Sequence, residues 1–279
     1  MQEGQFSRTA QRVAVRRAAH QLHDHPRILD DPLAVRIIGT QALEELRTSR
    51  RESRGFARSF RALMAVRSRY AEDQLARAVA EGVNQYVVLG AGLDTFACRN
   101  PHPGLRVFEV DHPATQAWKR EQLHAASIAI PPSLTFVPIN FERQSLAEEL
   151  RHAGFNHREP VFFSWLGVTM YLTQAAFATT LSFIAGMPAG SGVVFDFAID
   201  RKLLNLGQRI ALEVLANRVA AAGEPFRLYL NPTALQEELK GLGFRRTEFL
   251  DGAQLNARYF SDRTDNLRVG LGHLMGAWL

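Results

Sequence analysis

The stretch Gln85-Tyr-Val-Val-Leu-Gly-Ala-Gly-Leu-Asp94 decides the fold of this chain. A short apolar run ends abruptly at Gly90-Ala-Gly92, and the acidic Asp94 follows two positions later. Glycine has no side chain and tolerates positive φ, so such a turn lets a ligand approach the backbone closely. The pattern predicts the first strand and turn of a nucleotide-handling βαβ unit.

A second apolar run, Leu105-Arg-Val-Phe-Glu-Val-Asp111, ends in a carboxylate nineteen residues after Gly92. A carboxylate at the tip of the second strand can accept hydrogen bonds from ribose hydroxyls. Asp111 can also cap a helix that begins at Pro113, and the two roles are compatible. His112 is expected to be a surface or capping histidine. The two runs together predict an adenosine-containing cofactor at this turn.

From residue 85 onward, apolar strand-like runs alternate with helical patterns. The predicted strands are 85–89, 105–110, 134–138, 160–165, 191–197, 244–250 and 267–274. The predicted helices are 113–127, 142–154, 173–187 and 232–242, with an inserted helix at about 201–222. This alternation favours an α/β fold in which a mostly parallel sheet is covered on both faces. We expect a loop between the last two strands, which would allow them to pair antiparallel.

The residues before the first strand form a predicted helical cover. Thr9–His20 is helical in composition, Asp31-Pro32 can start a helix, and Ser59–Glu81 has a helical apolar pattern that Gly82 ends. No repeat, linker or low-complexity tract interrupts the chain. We therefore predict a single domain over 1–279, with a cover at 1–82 and a Rossmann-like core at 83–279.

The composition is that of a soluble globular protein, with 46% hydrophobic and 22% charged residues. The sequence has no apolar run of about 18 residues, so no transmembrane helix is predicted. The N-terminus does not resemble a secretory signal. Cys98 is the single cysteine, and no histidine pair has metal-ligand spacing, so neither a disulfide nor a metal site is predicted. We expect a cytoplasmic protein that binds no membrane.

The net charge of +5 comes from the first 80 residues, where arginines outnumber acids. A basic segment can attract nucleic acid. Here the arginines are interleaved with acids and apolar residues, which is typical of solvated helix faces. We therefore expect no nucleic-acid partner.

The glycine turn does not fit a dinucleotide. A dinucleotide fingerprint needs a third small residue, and Thr95 occupies that position. The negative charge of Asp94 would also repel a pyrophosphate. S-adenosylmethionine has no phosphate and carries ammonium and sulfonium cations, so an acid beside the turn suits it, as does an arginine for its carboxylate. S-adenosylmethionine is therefore the predicted cofactor.

Three motifs follow one another along the chain: Gly90-Ala-Gly-Leu-Asp-Thr95, Phe108-Glu-Val-Asp-His-Pro113 and Ser164-Trp-Leu-Gly-Val-Thr-Met-Tyr-Leu172. They resemble the leucine carboxyl methyltransferase-like family of class I S-adenosylmethionine-dependent methyltransferases, in its bacterial branch of unassigned substrate. The likeness begins near Ser7-Arg-Thr-Ala10 and runs through Arg67-Ser-Arg-Tyr-Ala-Glu-Asp73 to about residue 197. It implies a Rossmann-like methyltransferase sheet of seven strands with the last one antiparallel.

The resemblance also implies roles for the matching residues. Arg67 matches the arginine that holds the methionine carboxylate, and its neighbour Arg69 is a second candidate. Gly90 and Gly92 let the cofactor lie across the end of the first strand, and Asp111 matches the acid that binds the ribose.

Two positions depart from the family pattern. Asn140-Phe141 stands where the family usually has Asp-Leu against the adenine edge, and Asn140 keeps an acceptor oxygen without the charge. Leu166 stands where the family often has Glu, and it loses a polar contact. These departures predict weaker cofactor binding and leave a non-catalytic cofactor-binding protein as an alternative.

Methyl transfer from a sulfonium is an in-line displacement, so the protein aligns the acceptor and excludes water. A carboxylate is already ionised near neutral pH and needs no general base, which fits the absence of an evident catalytic dyad. We expect O-methylation of a carboxylate or an acidic hydroxyl on a small molecule, with the choice between them open. Tyr171 either packs in the core or lines the acceptor pocket. The inserted helix and the N-terminal helices are expected to cover this pocket. The apolar residues of the inserted segment suit core packing equally well: Leu203, Leu204, Leu206, Ile210 and Leu215.

Other functions remain as alternatives. A protein carboxyl methyltransferase, which the family name suggests, ranks below a small-molecule enzyme. Thr95 disfavours an NAD(P)-dependent oxidoreductase, and no basic patch interleaved with aromatic residues supports a nucleic-acid methyltransferase. The sequence does not indicate an oligomeric state.

Overall fold

Seven strands form one sheet in the computed structural model, which describes residues 7–48, 55–140, 144–221 and 223–279. The strands are β1 (Gln85–Leu89), β2 (Arg106–Asp111), β3 (Leu134–Pro138), β4 (Val161–Trp165), β5 (Gly192–Asp196), β6 (Arg246–Leu250) and β7 (Leu274–Trp278). Their order across the sheet is β3-β2-β1-β4-β5-β7-β6. The strands β1 to β5 are parallel, and β7 is antiparallel to both β5 and β6. This confirms the predicted α/β fold.

Four helices of the described residues precede the sheet, and six follow its first strand. The first four are α1 (Arg8–His23), α2 (Leu33–Ile37), α3 (Thr40–Thr48) and α4 (Gly55–Ala80). The others are α5 (Pro113–Ala125), α6 (Leu146–His152), α7 (Gln174–Ala185), α8 (Leu206–Ala220), α9 (Pro232–Gly241) and α10 (Gly252–Tyr259). The helix α8 is the predicted insertion, and α5 begins at Pro113 with the side chain of His112, not that of Asp111, as its cap.

The sheet is covered on both faces, as its apolar strands predict. Alternate residues of a strand point to opposite faces. The helix α4 covers one face through Val66 and Tyr70, and α7 covers the other through Phe177 and Leu181. All five residues of β1 are buried in consequence.

The C-terminal region differs from the prediction in two places. The helix α10 lies between β6 and β7, where a loop was expected, and the side chain of Asp251 caps its first turn. The strand β7 begins at Leu274, whereas the sequence pattern places it at 267–274. Leu267 and Val269 are buried in the cluster beneath α4 and do not belong to a strand. Their apolar alternation therefore resembles that of a strand, although they pair with no other strand.

Two further properties concern only the part of the chain that the structure describes. It contains no helix long and apolar enough to cross a bilayer. It also contains no group of three or more His, Cys, Asp or Glu side chains placed to hold a metal ion.

Candidate functional site

The glycine turn follows β1 and contacts the end of β2. Gly90 and Gly92 have φ of +72° and +50°. The amide of Gly92 donates to Oδ2 of Asp111 at 2.6 Å, and the amide of His112 donates to Oδ1 at 2.7 Å. Burial raises the pKa of Asp111 in spite of these bonds. Each carboxylate oxygen has a second lone pair and the side chain is partly exposed, so Asp111 can still accept from a ligand hydroxyl.

Protein atoms cover this turn closely. A Cβ at Gly90 would lie 2.2 Å from Cγ2 of Val168, which follows β4, and a Cβ at Gly92 would lie 3.0 Å from Cβ of Ala10 in α1. The space at position 90 therefore accommodates glycine but no residue with a Cβ atom. The sequence argument attributed this requirement to a ligand, but packing against Val168 also demands it.

Asp94 belongs to a buried network of charges. The guanidinium of Arg17 lies 2.6 Å from Asp94 and 2.6 Å from Asp31. Burial would raise the pKa of Asp94, but the charges of Arg17, Lys119 and Arg99 outweigh it and lower this pKa to about 2. Through the pair of Arg17 with Asp94, the network holds α1 against the segment that follows the glycine turn. A direct contact between Asp94 and the cofactor stays a prediction.

Arg67 extends from α4 to the ends of β4 and β5. Its Nη1 lies 2.6 Å from Oδ2 of Asp196, and both side chains are buried. The amide of Gly167 donates to Oδ1 of the same carboxylate at 2.5 Å. A Cβ at Gly167 would lie 3.0 Å from Nη2 of Arg67, so the missing side chain leaves room beside the guanidinium. The structure thus orients Arg67 at a strand end, where a ligand carboxylate can bind it.

The structure does not bring Arg69 to the same place. Its side chain is 48% exposed, and its Nε lies 2.8 Å from Asp73, one turn further along α4. Residues two apart on a helix do not share a face. Arg69 is therefore not positioned to join Arg67 in holding one carboxylate.

The two positions that depart from the family pattern follow β3 and β4, which β2 and β1 separate in the sheet. Asn140 follows β3, and its backbone N–H donates to Oε1 of Gln144 at 2.9 Å. Phe141 lies outside the described residues. Leu166 follows β4, and it packs against the apolar cluster that contains Tyr86. The contacts of Asn140, Phe141 and Leu166 with a cofactor stay predictions.

A cavity of about 680 Å³ adjoins Arg67 and Gly167. Its size is that of a small-molecule site. The lining comes from α1, α3, α4 and α8, from the segments after β4, β5 and α8, and from the segment before β7. It is largely apolar, with Phe60, Met64, Met170, Phe197, Leu212 and Phe226. Gly167 lines the cavity while the adjacent Val168 covers Gly90, so a single loop separates the cavity from the glycine turn.

Basic side chains predominate among the charged residues of this lining. Within the described residues it contains four arginines and two acids: Arg12, Arg16, Arg67 and Arg218 against Glu45 and Asp196. Asp196 is already paired with Arg67. Nη1 of Arg12 donates to the carbonyl of Arg218 at 3.3 Å, which joins α1 to α8 at the rim. The cavity therefore combines an apolar interior with an excess of positive charge.

Tyr171 lines this cavity and also packs against an aromatic neighbour, while a contact with an acceptor stays a prediction. Its side chain lines the cavity, and its ring packs edge-on against Phe226 with centroids 5.4 Å apart. Burial raises the pKa of Tyr171 well above its ordinary value. The hydroxyl is therefore neutral at physiological pH and can act only as a hydrogen-bonding group there.

The roof uses a different face of α8 from the one expected. Leu212, Leu215 and Val219 line the cavity. Of the residues expected in the roof, only Leu215 is among them. The others include Leu203, Leu206 and Ile210, which are exposed at 51%, 75% and 55%.

Sequence reasoning did not single out Asp196 and His273, which are among the lining residues. Asp196 ends the apolar run of β5 as Asp111 ends that of β2, so the same signal was present. His273 directly precedes β7, and the misplaced boundary of that strand left it inside a predicted strand. No local pattern marks it as a site residue.

Comparison with known sequences identifies the family of this chain. A model of the family described as leucine carboxyl methyltransferase matches residues 10–185. YktD of Bacillus subtilis, provisionally named an S-adenosyl-L-methionine-dependent methyltransferase, is 38% identical over 204 residues, which cover 72% of this chain and 67% of YktD. A protein of Mycobacterium sp. strain JLS with the same provisional name is 40% identical over 136 residues, which cover 47% of this chain and 50% of that protein.

Comparison with solved structures supports the fold alone, because the identities are low. A methyltransferase, provisionally so named, from Thermobifida fusca superposes with a TM-score of 0.61 at 16% identity, covering 99% of this chain and 96% of that one. A DUF574 family protein from Streptomyces avermitilis gives 0.54 at 16% identity, covering 95% and 96%.

Proposed function

Because the chain belongs to the leucine carboxyl methyltransferase family of S-adenosylmethionine-dependent methyltransferases, we propose that it methylates an acidic oxygen of an apolar small molecule. The acceptor group is a carboxylate or an acidic hydroxyl. The observation that carries this proposal is the apolar cavity beside Arg67 and Gly167, in which basic side chains outnumber acidic ones. An apolar anion complements such a lining in both shape and charge.

The residues around the glycine turn fit S-adenosylmethionine, the methyl donor. The positive φ angles of Gly90 and Gly92 form a turn without side chains, and Asp111 has lone pairs for ribose hydroxyls. Arg67 offers a guanidinium beside the open side of Gly167 for the methionine carboxylate. When bound, S-adenosylmethionine supplies an electrophilic methyl group and a neutral thioether leaving group.

The chain's own contribution is to position the acceptor and exclude water. The helices α1, α4 and α8 enclose the cavity with apolar side chains, so an acidic oxygen that enters it loses much of its hydration. The lining orients the acceptor toward Gly167, which belongs to the loop after β4 that also contacts the glycine turn through Val168. A carboxylate needs no base for this reaction, whereas a hydroxyl must give its proton to a neighbour.

Transfer of a tritiated methyl group from S-adenosylmethionine to a panel of apolar acids tests the proposal. The panel contains medium-chain fatty acids, cinnamate and naphthol, with methyl decanoate and methyl cinnamate as neutral matched controls. We expect label on acids or hydroxyls and none on the esters. Mild alkali releases methanol from a methyl ester but not from an ether, so it distinguishes the two acceptor groups.

The same assay separates the alternatives. Labelling of a peptide that ends in a free leucine carboxylate, but of none of the small acids, would favour a protein carboxyl methyltransferase. Salt-dependent binding and labelling of RNA or DNA would favour a nucleic-acid enzyme. Cofactor binding without transfer to any acceptor would favour a non-catalytic protein.

A further inference from the structure

The excess of positive charge in the cavity lies where the cavity opens to solvent. Arg67 is only 6% exposed, and Asp196 balances its charge from 2.6 Å away. Arg12 of α1 and Arg218 of α8 also line the cavity, but both are exposed. A residue that lines a cavity and is also exposed lies at its opening, so we call these two the rim arginines.

The other charged residues of the lining do not offset the rim arginines. Arg16 and Glu45 carry opposite charges and cancel in the net charge of the lining, as Arg67 and Asp196 do. The net positive charge of the cavity therefore equals that of the two rim arginines.

Contacts between α1, α4 and α8 hold the rim arginines in place. Nη1 of Arg12 donates to the carbonyl of Arg218 at 3.3 Å. The guanidinium of Arg218 lies over the ring of Phe56, 5.1 Å from its centroid, which is within the range of a cation–π interaction. The ring of Phe56 in turn stacks on that of Phe60, with centroids 6.3 Å apart and planes 6° apart. Both rings line the cavity, so its wall orients the guanidinium of Arg218.

The rim arginines keep hydrogen-bond donors for a ligand. A guanidinium has five N–H donors, and Arg12 uses one of them on the carbonyl of Arg218. Throughout the described ranges, the guanidinium of Arg218 donates no hydrogen bond. Paired N–H groups of this kind match the oxygens of a carboxylate or a phosphate. The rim is therefore suited to an anionic group.

This anionic group differs from the oxygen that receives the methyl group. The acceptor oxygen donates an electron pair to the methyl carbon as the bond from that carbon to sulfur breaks, so its negative charge decreases toward the transition state. A cation bound to this oxygen would stabilise the substrate more than the transition state and would slow the reaction. An anionic group elsewhere on the acceptor keeps its charge throughout, so an arginine can bind it without slowing the transfer.

We propose that Arg12 and Arg218 bind a second anionic group of the acceptor, one that is not methylated. This inference rests on the proposed function, because it takes the cavity as the acceptor site. The acceptor class is an apolar molecule with two acidic groups. One group reaches the interior beside Gly167, and the other stays at the rim as a carboxylate or a phosphate. The apolar body between them lies among side chains such as Met64 and Leu212.

Binding of paired probes, measured without methyl transfer, tests the rim arginines. Isothermal titration calorimetry with the cofactor product S-adenosylhomocysteine present gives the affinities for octanedioate, decanedioate and dodecanedioate. Each is compared with the monocarboxylate of the same length, and phosphonate analogues of the dicarboxylates distinguish a phosphate from a carboxylate at the rim. The variants are Arg12→Gln, Arg218→Gln, the two combined, and Arg218→Lys, which keeps the charge. Arg8→Gln is the matched control, because Arg8 lies one turn before Arg12 on α1 and is exposed without lining the cavity.

We expect the wild-type protein to bind the best dicarboxylate at least about fivefold more tightly than the monocarboxylate of the same length. Each glutamine variant of the rim should lose part of this preference, and the combined variant should lose nearly all of it. Arg218→Lys should retain more of it than Arg218→Gln, and Arg8→Gln should retain it fully. The preference should also decrease at high salt, because the rim is exposed. In transfer assays Arg218→Gln should act on KM for the dicarboxylate rather than on kcat, since the second anion is bound equally in the substrate and the transition state.

Equal affinities of the wild-type protein for dicarboxylates and monocarboxylates at every length would overturn the role of the rim. A preference that persists in the combined variant would do the same, as would failure of the wild-type protein to bind any of these acids. If monocarboxylates are methylated in the first case, the proposed function stands without a second anion. If the preference depends on the rim arginines but no acid accepts a methyl group, the binding role stands and the proposed function fails.

Discussion

Nη1 of Arg67 lies 2.6 Å from Oδ2 of Asp196, and this buried pair joins α4 to the end of β5. The second carboxylate oxygen accepts from the amide of Gly167, so the pair also holds the loop after β4. The arginine is therefore oriented before any ligand arrives. A ligand carboxylate that binds it has little side-chain entropy to remove.

Replacing Arg67 should weaken cofactor binding more than replacing Arg69. We expect Arg67→Ala to reduce the affinity for S-adenosylhomocysteine by about 1.5–3 kcal/mol, since a hydrogen bond to a charged group is lost. Arg69→Ala should change it by less than about 0.5 kcal/mol, because Arg69 is exposed and paired with Asp73. Calorimetry measures both, and thermal unfolding checks that Arg67→Ala is folded. The reverse order of effects would assign the carboxylate contact to Arg69.

The Asp196 pair should also be important for stability. Asp196→Asn leaves a buried guanidinium without its counterion and should lower the free energy of unfolding by about 3–5 kcal/mol. Asp30→Asn is the control, because its pair with Arg27 is exposed and should contribute less than about 1 kcal/mol. Urea unfolding followed by circular dichroism gives both values. Similar losses in the free energy of unfolding for the two variants would show that the buried pair stabilises the fold no more than the exposed one.

Asp111 should contribute directly to cofactor affinity. Asp111→Ala removes the acceptor for ribose hydroxyls at the tip of β2, and we expect a loss of about 1–3 kcal/mol in the binding of S-adenosylhomocysteine. Because Asp111 also accepts from the amides of Gly92 and His112, a small loss of stability should accompany it. An unchanged dissociation constant by calorimetry would exclude the ribose contact.

Gly90 should be less tolerant of substitution than other glycines with positive φ. An alanine at Gly90 or at Gly104 adopts a left-handed conformation, which costs about 1–2 kcal/mol. At Gly90 the new Cβ would also lie 2.2 Å from Val168, whereas at Gly104 it would meet nothing within 4 Å. We expect Gly90→Ala to lose a further 1–3 kcal/mol or so from overpacking. Urea unfolding of both variants measures the difference. Equal losses in the free energy of unfolding would mean that the loop after β4 moves to accommodate the new Cβ without cost.

His273 should make the protein less stable as the pH falls. Its pKa is lowered by burial from 6.5 to about 4, so the unfolded chain binds the proton more tightly than the folded one. The free energy of unfolding should therefore fall as the pH decreases from 6.5 towards 4, by up to about 3 kcal/mol from this group alone. Comparing unfolding at neutral pH and near pH 4.5 should show a shallower decrease for His273→Phe. An identical pH dependence in wild type and variant would contradict the lowered pKa.

The order of strands and helices could be predicted because its signals are local. Apolar runs such as Gln85–Leu89 and Gly192–Asp196 reflect burial on both faces of a parallel sheet, and Gly90 and Asp111 mark strand ends. The predictions failed where local patterns mislead. Leu267 and Val269 alternate as in a strand, but their burial comes from packing beneath α4, and the short helix α10 has too few turns to show a clear period.

The amino-acid sequence alone predicted the α/β class, the cofactor, the glycine turn after β1 and the acid at the end of β2. The contacts between residues far apart in the sequence could not be predicted in this way. Arg67 and Asp196 are 129 positions apart, and no local sequence pattern relates them. Folding brings α1, α4 and α8 together around one cavity and pairs Arg67 with Asp196. Side-chain direction and burial depend on how separate elements pack, and packing is a property of the folded molecule.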